Sequence, residues 1–353
     1  MIEPPHLFDK ELIDWYLLNK RDLPWRDTTD PYKIWISEII LQQTRVAQGL
    51  DYYNRFVARF PTLPDLASAV EDEVLRLWQG LGYYSRARNM RAAAKEVVER
   101  FGGVFPSTYN EVRALKGIGD YTAAAIASFS RNEPYAVVDG NVYRVLSRLF
   151  GVDTPIDSTA GKRYFAQLAR QLLPENRAGL YNQALMEFGA LQCVQGAPDC
   201  GGCVLNSRCE AFAADRVSAL PAKAKKTKRR DRFFSYLRIR FGNSVYLQQR
   251  VGKDIWKGLF QFPLIEADKL LELDDLFDSP IFRLAVKEGD YTIHGFSEVY
   301  KHVLSHQTLY ARFVDMEVPT PVLLPGCILV KQSELDNYAL PQLIVRYLSE
   351  IEN

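Results

Sequence analysis

Residues 115–148 combine a glycine-rich turn with two helical patterns, and this stretch constrains the fold more than any other part of the chain. The turn reads Leu-Lys-Gly-Ile-Gly and leads into an alanine-rich helical pattern. Gly117 and Gly119 carry no side chains, so amide N–H groups at the start of the second helix can approach an anion such as a phosphate. The alternative interpretation is a tight corner between two helices that binds nothing.

The same stretch places a carboxylate at the start of its last helix. An apolar Ala-Val-Val run precedes Asp139, and Gly140, Asn141 and a new helical pattern follow it. Asp139 can serve as an N-cap, a role worth about 1 kcal/mol. It can also be a functional carboxylate held beside the anion-binding turn, and the sequence leaves both roles open.

Four of the five cysteines lie within seventeen residues, at Cys193, Cys200, Cys203 and Cys209. A disulfide framework is disfavoured, because the chain is large, has one odd cysteine and is expected to be cytosolic. Four thiolates predict either a structural zinc ion or an iron–sulfur cluster, and the ligand type does not separate the two. Cys327 opens a strand-like run and is predicted to be a core residue.

A buried acid is predicted in the helical segment of residues 31–43, which is apolar nearly all round. Glu38 lies in its middle with no basic residue three or four positions away, so no intrahelical ion pair neutralises it. Burial without a cation raises the pKa of a carboxyl group and can keep it protonated near neutral pH, as a general acid requires. The alternative is an acid that pairs with an arginine distant in the sequence.

The chain of 353 residues is long enough for two domains. We predict an all-helical domain over residues 1–222, a linker over residues 223–232 and an α+β domain over residues 233–353. The linker carries seven Lys or Arg in ten residues. Residues 1–232 contain 32 basic and 27 acidic side chains, against 12 and 16 in the remainder, so a polyanion is expected to contact the N-terminal part.

Hydropathy argues against a membrane protein. No apolar run approaches the roughly 18 residues of a membrane span, and the polar N-terminus is unlike a signal peptide. The expected location is therefore the cytoplasm.

Helical patterns dominate the first two hundred residues, and the periodicity changes at Phe233. From there to residue 241 alternate residues are apolar, Arg238 and Arg240 fall on the other face, and Gly-Asn predicts a turn. Helices are predicted at residues 63–78, 88–101, 181–191, 270–277 and 340–351, and a helical pattern also continues through residues 43–45. Strands are predicted at residues 245–249, 299–304, 309–316 and 327–330.

Residues 80–89 mix glycines, two tyrosines and two arginines. This composition suits stacking on bases and pairing with phosphates, through side chains such as Tyr83 and Arg86. Aromatic residues near glycine also occur in ordinary packing, which is the alternative interpretation.

The hairpin at residues 115–119, Asp139 in Val-Asp-Gly-Asn and the 6-2-5 cysteine spacing resemble the helix–hairpin–helix DNA glycosylases that carry an iron–sulfur cluster. Within that superfamily, residues 35–44 and 80–84 are similar to the MutY-type adenine glycosylases, which excise adenine mispaired with 8-oxoguanine. Residues 233–350 resemble the Nudix-type C-terminal domain of the same family. The resemblance therefore covers nearly the whole chain, and it implies a [4Fe-4S] cluster rather than zinc.

The resemblance also implies roles for single residues. Glu38 would protonate the adenine, and ionised Asp139 would stabilise the cationic sugar. Gln43 and Tyr83 would fill the base stack, and Glu187 would read the adenine edge. The expected partner is double-stranded DNA with adenine opposite 8-oxoguanine or guanine, bound by a monomer. The full set of expected substrate- or DNA-binding residues is Trp25, Arg26, Gln43, Thr44, Tyr83, Arg86, Gly117, Gly119, Tyr121, Asn141, Glu187, Ser305 and His306, with Cys193, Cys200, Cys203 and Cys209 as cluster ligands.

Two loops depart from the family pattern. The cluster loop of residues 194–199 contains no Lys or Arg and carries Asp199. In the loop expected to contact 8-oxoguanine, Leu304 stands where the family has phenylalanine, although Ser305 and His306 can still donate hydrogen bonds. The C-terminal domain also lacks the Nudix hydrolase box, so we predict a binding module there.

Two other functions remain as alternatives. The first is an endonuclease III-like glycosylase and lyase acting on damaged pyrimidines through a lysine Schiff base. Tyr121 occupies the position of that lysine and cannot form an imine. The second is a non-catalytic iron–sulfur DNA-binding protein, and the presence of both Glu38 and Asp139 argues against it.

Overall fold

The chain divides into two compact units in the computed structural model, which describes residues 8–224, 229–286 and 291–351. The first unit comprises Met1–Ser68 with Asn89–Lys225, and the second comprises Ala69–Arg88 with Lys226–Asn353. The predicted domain boundaries stay a prediction. Residues 225–228 of the predicted linker lie outside the described residues.

Helices make up the regular structure of the described part of the first two hundred and twenty residues. They are α1 Asp9–Asn19, α2 Pro31–Leu41, α3 Val46–Arg59, α4 Leu63–Ser68, α5 Glu71–Leu77, α6 Ser85–Phe101, α7 Tyr109–Ala114, α8 Asp120–Arg131, α9 Gly140–Leu149, α10 Thr159–Leu172, α11 Ala178–Leu191 and α12 Glu210–Ala213, with a 3-10 turn at Asn206–Arg208.

Apolar faces of α1, α9, α10 and α11 meet in the main core of the first unit, around Leu12, Tyr16, Leu146, Phe165 and Phe188. The buried helix α2 packs against α3 and α8. These contacts bring the ends of α2, α8, α9 and α11 to one region, where the candidate site lies.

Local sequence determines where several helices begin. Asp30 caps α2 by accepting a hydrogen bond from Tyr32 N at 2.9 Å, and Pro31 occupies the first turn. The capping box of α7 pairs Thr108 with Glu111.

Two helical predictions were wrong in extent. Helix α2 ends at Leu41, and residues 43–45 form no helix because Gln43 adopts a left-handed backbone with φ of 60°. The predicted helix of residues 63–78 is two helices, because Val70 between α4 and α5 has extended backbone.

Eight strands form one mixed sheet within the described residues of the second unit. The strands are β1 Arg230–Phe241, β2 Ser244–Gln249, β3 Phe260–Gln261, β4 Leu264–Ala267, β5 Thr292–Phe296, β6 Tyr300–Val303, β7 Gln307–Glu317 and β8 Cys327–Lys331, and the helices are α13 Leu273–Phe277, α14 Pro280–Val286 and α15 Gln342–Ile351, with a 3-10 helix at Gln332–Asn337. Strands β1 and β7 run parallel, and β1 pairs antiparallel with β2 and β4.

Strand β1 differs from its prediction in two ways. It begins at Arg230 rather than Phe233, because Arg232 is buried and hydrogen-bonds the carboxylates of Asp254 and Glu266 at 2.7–2.9 Å. Its second face is not polar throughout. Phe234 and Tyr236 pack in one core and Leu237 and Ile239 in another, so the strand is buried on both faces.

Residues 69–88 join the second unit through hydrogen bonds. Arg88 donates to the carbonyl oxygen of Lys257, and Leu340 N donates to Gln79 Oε1 at 3.4 Å. No helix among the described residues is both long enough and apolar enough to span a membrane.

Helix α11 approaches α8 so closely that only glycine fits at its second residue. A Cβ atom at Gly179 would lie 2.3 Å from the carbonyl oxygen of Ser128. We expect Gly179→Ala to destabilise the helical unit by about 1–3 kcal/mol, because backbone must move to admit the methyl group. Thermal unfolding followed by circular dichroism measures this change. The matched control is Gly140→Ala, where nothing lies within 4 Å of the added atom. Equal stability of the two variants would contradict the packing argument.

Candidate active site

A cavity of about 750 Å³ opens in the first unit where α2, α8, α9 and α11 converge. Carboxylates, guanidinium groups and a phenol line it together, so ionisable groups distant in the sequence share one space. The lining includes Arg21, Trp25, Arg26, Glu38, Gln43, Thr44, Arg45, Tyr121, Asp139, Asn141, Tyr143, Arg144 and Glu187.

Glu38 is the buried acid of this cavity, with 6% of its surface exposed. Burial raises the pKa of its carboxyl group to about 7, and the negative charge of Asp139 acts in the same direction. A hydrogen bond from Tyr121 and the charge of Arg26 oppose the rise. A carboxyl group in this range exchanges a proton near neutral pH, which is the property required of a general acid.

Asp139 caps helix α9 and also lines the cavity. Its Oδ1 accepts a hydrogen bond from Val142 N at 2.8 Å, and its Oδ2 accepts one from Asn141 Nδ2 at 2.9 Å. Burial raises the pKa of Asp139 above its ordinary value, and these hydrogen bonds and the charge of Arg144 limit the rise. The positive end of the helix dipole also favours the anion. The two roles that the sequence left open for Asp139 are therefore compatible.

Arg144 connects this carboxylate to the first cysteine of the cluster. It donates through Nη2 to Asn141 Oδ1 at 2.9 Å, and through Nε to the carbonyl oxygen of Cys193 at 2.7 Å. Arg144 was not among the residues predicted for the site. Its position three residues after Asn141 on one helix face was the available signal.

Glu187 lies at the same cavity in a cluster with two arginines. Its carboxylate accepts hydrogen bonds from Arg21 N at 3.0 Å, Arg21 Nε at 2.9 Å and Arg21 Nη2 at 2.6 Å. Arg26 donates to it through Nη1 at 2.8 Å and also through Nη2. Burial acts to raise the pKa of Glu187, but these hydrogen bonds outweigh it and lower the pKa to about 2. Arg21 was also absent from the predicted set.

The remaining predicted residues of the first unit lie around this cavity or near the hairpin. Trp25 is buried, and its ring packs edge-on against Tyr53 at 5.0 Å. Gln43 is exposed at the cavity wall. Gly117 and Gly119 form the turn before α8 and do not line the cavity, and Gly117 has φ of 82°, which favours glycine.

The predicted residues of the second unit form a separate group. Tyr83 is exposed with φ of 46°, and its hydroxyl group shares a hydrogen bond with the hydroxyl group of Ser305. The guanidinium of Arg86 stacks over the Tyr83 ring at 5.6 Å and donates to the carbonyl oxygens of residues 81 and 82. His306 is exposed, and its carbonyl oxygen accepts a hydrogen bond from Arg230 N at 3.0 Å. Leu304 packs against the core of the sheet.

The four clustered cysteines border a second, smaller pocket of the first unit and form no disulfide. Burial raises the pKa of Cys203 to about 11, although a backbone hydrogen bond at residue 205 lowers it. Arg148 Nη1 lies 3.4 Å from Cys193 Sγ. Nearby N–H groups of this kind stabilise thiolates. Cys327 lies apart, half-buried beside the sheet core.

No group of three or more His, Cys, Asp or Glu side chains in the described ranges converges on a single ion position. Each thiolate of a four-iron cluster binds a different iron, so its sulfurs need not converge as those around one zinc ion do. Four thiols around a shared pocket are a donor set that an iron–sulfur cluster can take.

Two family models match the chain. One, described as an HhH-GPD superfamily base excision DNA repair protein, matches residues 36–173, and the other, described as a NUDIX domain, matches residues 235–350. These matches and the observed helices and sheet confirm the predicted fold class, a helical helix–hairpin–helix domain with a Nudix-like α+β domain.

Relatives that match most of this chain point to the same family as the domain matches. An adenine DNA glycosylase of Buchnera aphidicola subsp. Baizongia pistaciae is 34% identical, over 86% of this chain and 84% of the relative. An adenine DNA glycosylase of Rattus norvegicus is 32% identical, over 96% of this chain and 78% of the relative. The solved structure of a thermostable thymine-DNA glycosylase aligns with a TM-score of 0.55 and 27% identity, over 60% of this chain and 97% of that one.

Glu38 also predicts a pH dependence of folding. Its pKa is near 4.5 in an unfolded chain and about 7 in the folded one, so the folded state binds the proton more tightly between these values. Stability should therefore fall as pH rises from 4.5 to 7. We expect Glu38→Gln to abolish this loss. Between those pH values, the free energy of unfolding of the variant should therefore rise by roughly 3 kcal/mol relative to that of the wild type.

Urea unfolding of both proteins at pH 5 and pH 8 measures this gain. Glu175→Gln is the control, because it removes an exposed carboxyl group and should leave the pH dependence of the wild type in place. Parallel pH dependence of Glu38→Gln and wild type would show that Glu38 has an ordinary pKa.

Proposed function

The chain belongs to the family of adenine DNA glycosylases, and we propose that it removes adenine mispaired with 8-oxoguanine or guanine by hydrolysing the N-glycosidic bond. The enzyme class and the DNA substrate follow from family membership. The observation that carries the proposal for the mechanism is the meeting of Glu38 and Asp139 at one cavity. Both groups are buried, but Asp139 accepts hydrogen bonds from Val142 N and Asn141 Nδ2 at the start of a helix, which supports an acid at Glu38 and a charged stabiliser at Asp139.

Protonated Glu38 is the proposed general acid. Adenine is a poor leaving group until N7 is protonated, and burial keeps a proton on Glu38 near neutral pH. Tyr121 donates a hydrogen bond to the same carboxyl group and so orients it. As the bond between the sugar and N9 breaks, its electron pair moves into the protonated base.

Asp139 is the proposed stabiliser of the cationic sugar that forms. Hydrogen bonds from Val142 N and Asn141 Nδ2 hold its carboxylate in place, and both favour the charged form. Water then adds to the cationic sugar and gives up a proton to the Glu38 carboxylate that the first step left, which completes the hydrolysis, as in glycosidases that use one protonated and one ionised carboxyl group.

Tyr121 supports a hydrolase without lyase activity. It lies on α8 at the cavity, where a lysine would be needed to form a Schiff base with the sugar. This argues against the endonuclease III-like alternative.

The target base must leave the duplex before it reaches the cavity. We propose that Gln43 and Tyr83 occupy the opened stack, and that Trp25, Arg26, Thr44, Asn141 and Glu187 line the adenine site. We further propose that Ser305 and His306 contact the opposite base. The hydrogen bond between Tyr83 and Ser305 supports a common target for these two side chains.

Cys193, Cys200, Cys203 and Cys209 would hold a [4Fe-4S] cluster, which would tie the end of α11 to the loop before α12. Because residues 194–199 lack Lys and Arg, we propose that Gly117 and Gly119, with the basic residues 223–232, supply phosphate contacts instead. Both carboxylates and all four thiols come from one chain, which supports a monomer.

The general-acid role is tested by Glu38→Gln. The amide cannot donate the proton, so single-turnover excision from an adenine·8-oxoguanine duplex should slow by about 10²–10⁴-fold while duplex binding is retained. Glu175→Gln, a change at an exposed acid, is the control. Near-normal excision by Glu38→Gln would refute the assignment.

The cluster is tested by metal analysis of protein purified without oxygen. We expect about four irons per chain and broad absorbance in the visible range, as a four-thiolate cluster gives. Cys200→Ser should lower the iron content, whereas Cys327→Ser, in the other unit, should leave it unchanged. Stoichiometric zinc without iron would contradict the proposal.

A further inference from the structure

Glu187, Arg21 and Arg26 form a cluster in which one carboxylate accepts five hydrogen bonds from two arginines. Both oxygens of the Glu187 carboxylate accept from both arginines, and the backbone N–H of Arg21 also donates to it. The side chain of Glu187 is 1% exposed, and that of Arg26 is 11% exposed. Glu187 and Arg26 therefore interact in a medium that screens charge weakly, whereas the side chain of Arg21 is 34% exposed and its charge is partly screened by solvent.

The cluster carries a net charge of one positive unit, because two guanidinium groups face one carboxylate. All three side chains line the cavity that contains Glu38. The charge of Arg26 acts on Glu38 and favours loss of its proton. Each arginine that Glu187 neutralises therefore makes it easier for Glu38 to keep its proton.

We propose that Glu187, Arg21 and Arg26 act as one unit with a net charge of one positive unit, in which Glu187 offsets one of the two arginine charges at the cavity that contains Glu38. Glu187 and Arg21 are then positioning residues for the general acid, in addition to any contact with the base. The inference rests on the proposed function in one respect, since it assigns consequences for catalysis to the protonation of Glu38.

Other charged or titratable groups also face Glu38. Tyr121 on α8 donates a hydrogen bond to it, Asp139 before α9 repels its charge, and Arg26 before α2 attracts it. The cavity is further lined by Arg21, Arg45, Tyr143, Arg144 and Glu187. Arg144 is committed to carbonyl and amide oxygens of α9, α11 and the cysteine loop. In the cluster of Glu187, Arg21 and Arg26, by contrast, a single substitution can remove either a negative or a positive charge.

Opposite shifts in two variants test the proposal. Glu187→Gln raises the cluster charge from one to two positive units, which favours ionised Glu38. Excision needs the protonated acid, so the alkaline limb of the single-turnover pH profile should move to lower pH by on the order of one unit. Arg21→Met lowers the cluster charge to zero, so its alkaline limb should move to higher pH.

The double variant Glu187→Gln/Arg21→Met separates charge from structure. It keeps one positive unit, as in wild type, although the hydrogen bonds of the cluster are lost. Its alkaline limb should return to the wild-type position even if its maximal rate stays low. Shifts of both single variants in the same direction, or no shift in either, would overturn the proposal and leave the cluster a purely structural role.

Direct titration distinguishes this proposal from the proposed function. The infrared band of the protonated Glu38 carboxyl group, identified by its loss in Glu38→Gln, can be followed with pH in each full-length variant without DNA. If the midpoint pH of the band shifts as described but the alkaline limb of excision does not shift with it, Glu38 is not the general acid. The effect of the cluster charge on Glu38 is then still supported. Unshifted midpoints in both single variants would overturn the charge balance itself.

Discussion

The capping of helix α9 by Asp139 is the interaction on which the candidate site depends. A cap residue must direct its carboxylate at the first amides of the helix, and this fixes Asp139 at the cavity wall. Helix α9 also carries Asn141, which donates a hydrogen bond to Asp139, and Arg144, which donates one to the carbonyl oxygen of Cys193. One helix therefore positions a carboxylate at its first turn and reaches the cysteine loop from the next.

Charge in the cavity is arranged by environment rather than by residue type. Three carboxyl groups line it, and each has a different surrounding. Glu38 is buried among apolar residues and its pKa rises to about 7, whereas Glu187 is paired with two arginines and its pKa falls to about 2. Asp139 is held by hydrogen bonds at a helix N-terminus. The distinct roles that we propose for these chemically similar groups rest on these surroundings.

Sequence patterns predicted those features that depend on local periodicity or spacing. The apolar surroundings of Glu38 and the absence of a nearby base could be read from α2 itself, and the Gly-rich turn and cysteine spacing were equally local. Arg21 was not found, because its pairing with Glu187 joins residues 166 positions apart. The start of β1 was placed too late for a similar reason, since Arg232 appears basic and exposed in sequence but is buried by Asp254 and Glu266. The grouping of residues 69–88 with the sheet also rests on contacts that no local pattern contains.

We propose that one cavity keeps Glu38 protonated while Asp139 is ionised. Carbon-13 NMR titration of selectively labelled Glu and Asp carboxyl groups tests it most directly, with Glu38→Gln and Asp139→Asn used to assign the two resonances. We predict that Glu38 titrates near pH 7, and that the hydrogen bonds from Val142 N and Asn141 Nδ2 keep Asp139 ionised at that pH although burial raises its pKa. A Glu38 resonance that titrates at the ordinary value of a glutamate, or an Asp139 that remains protonated at pH 7, would contradict it.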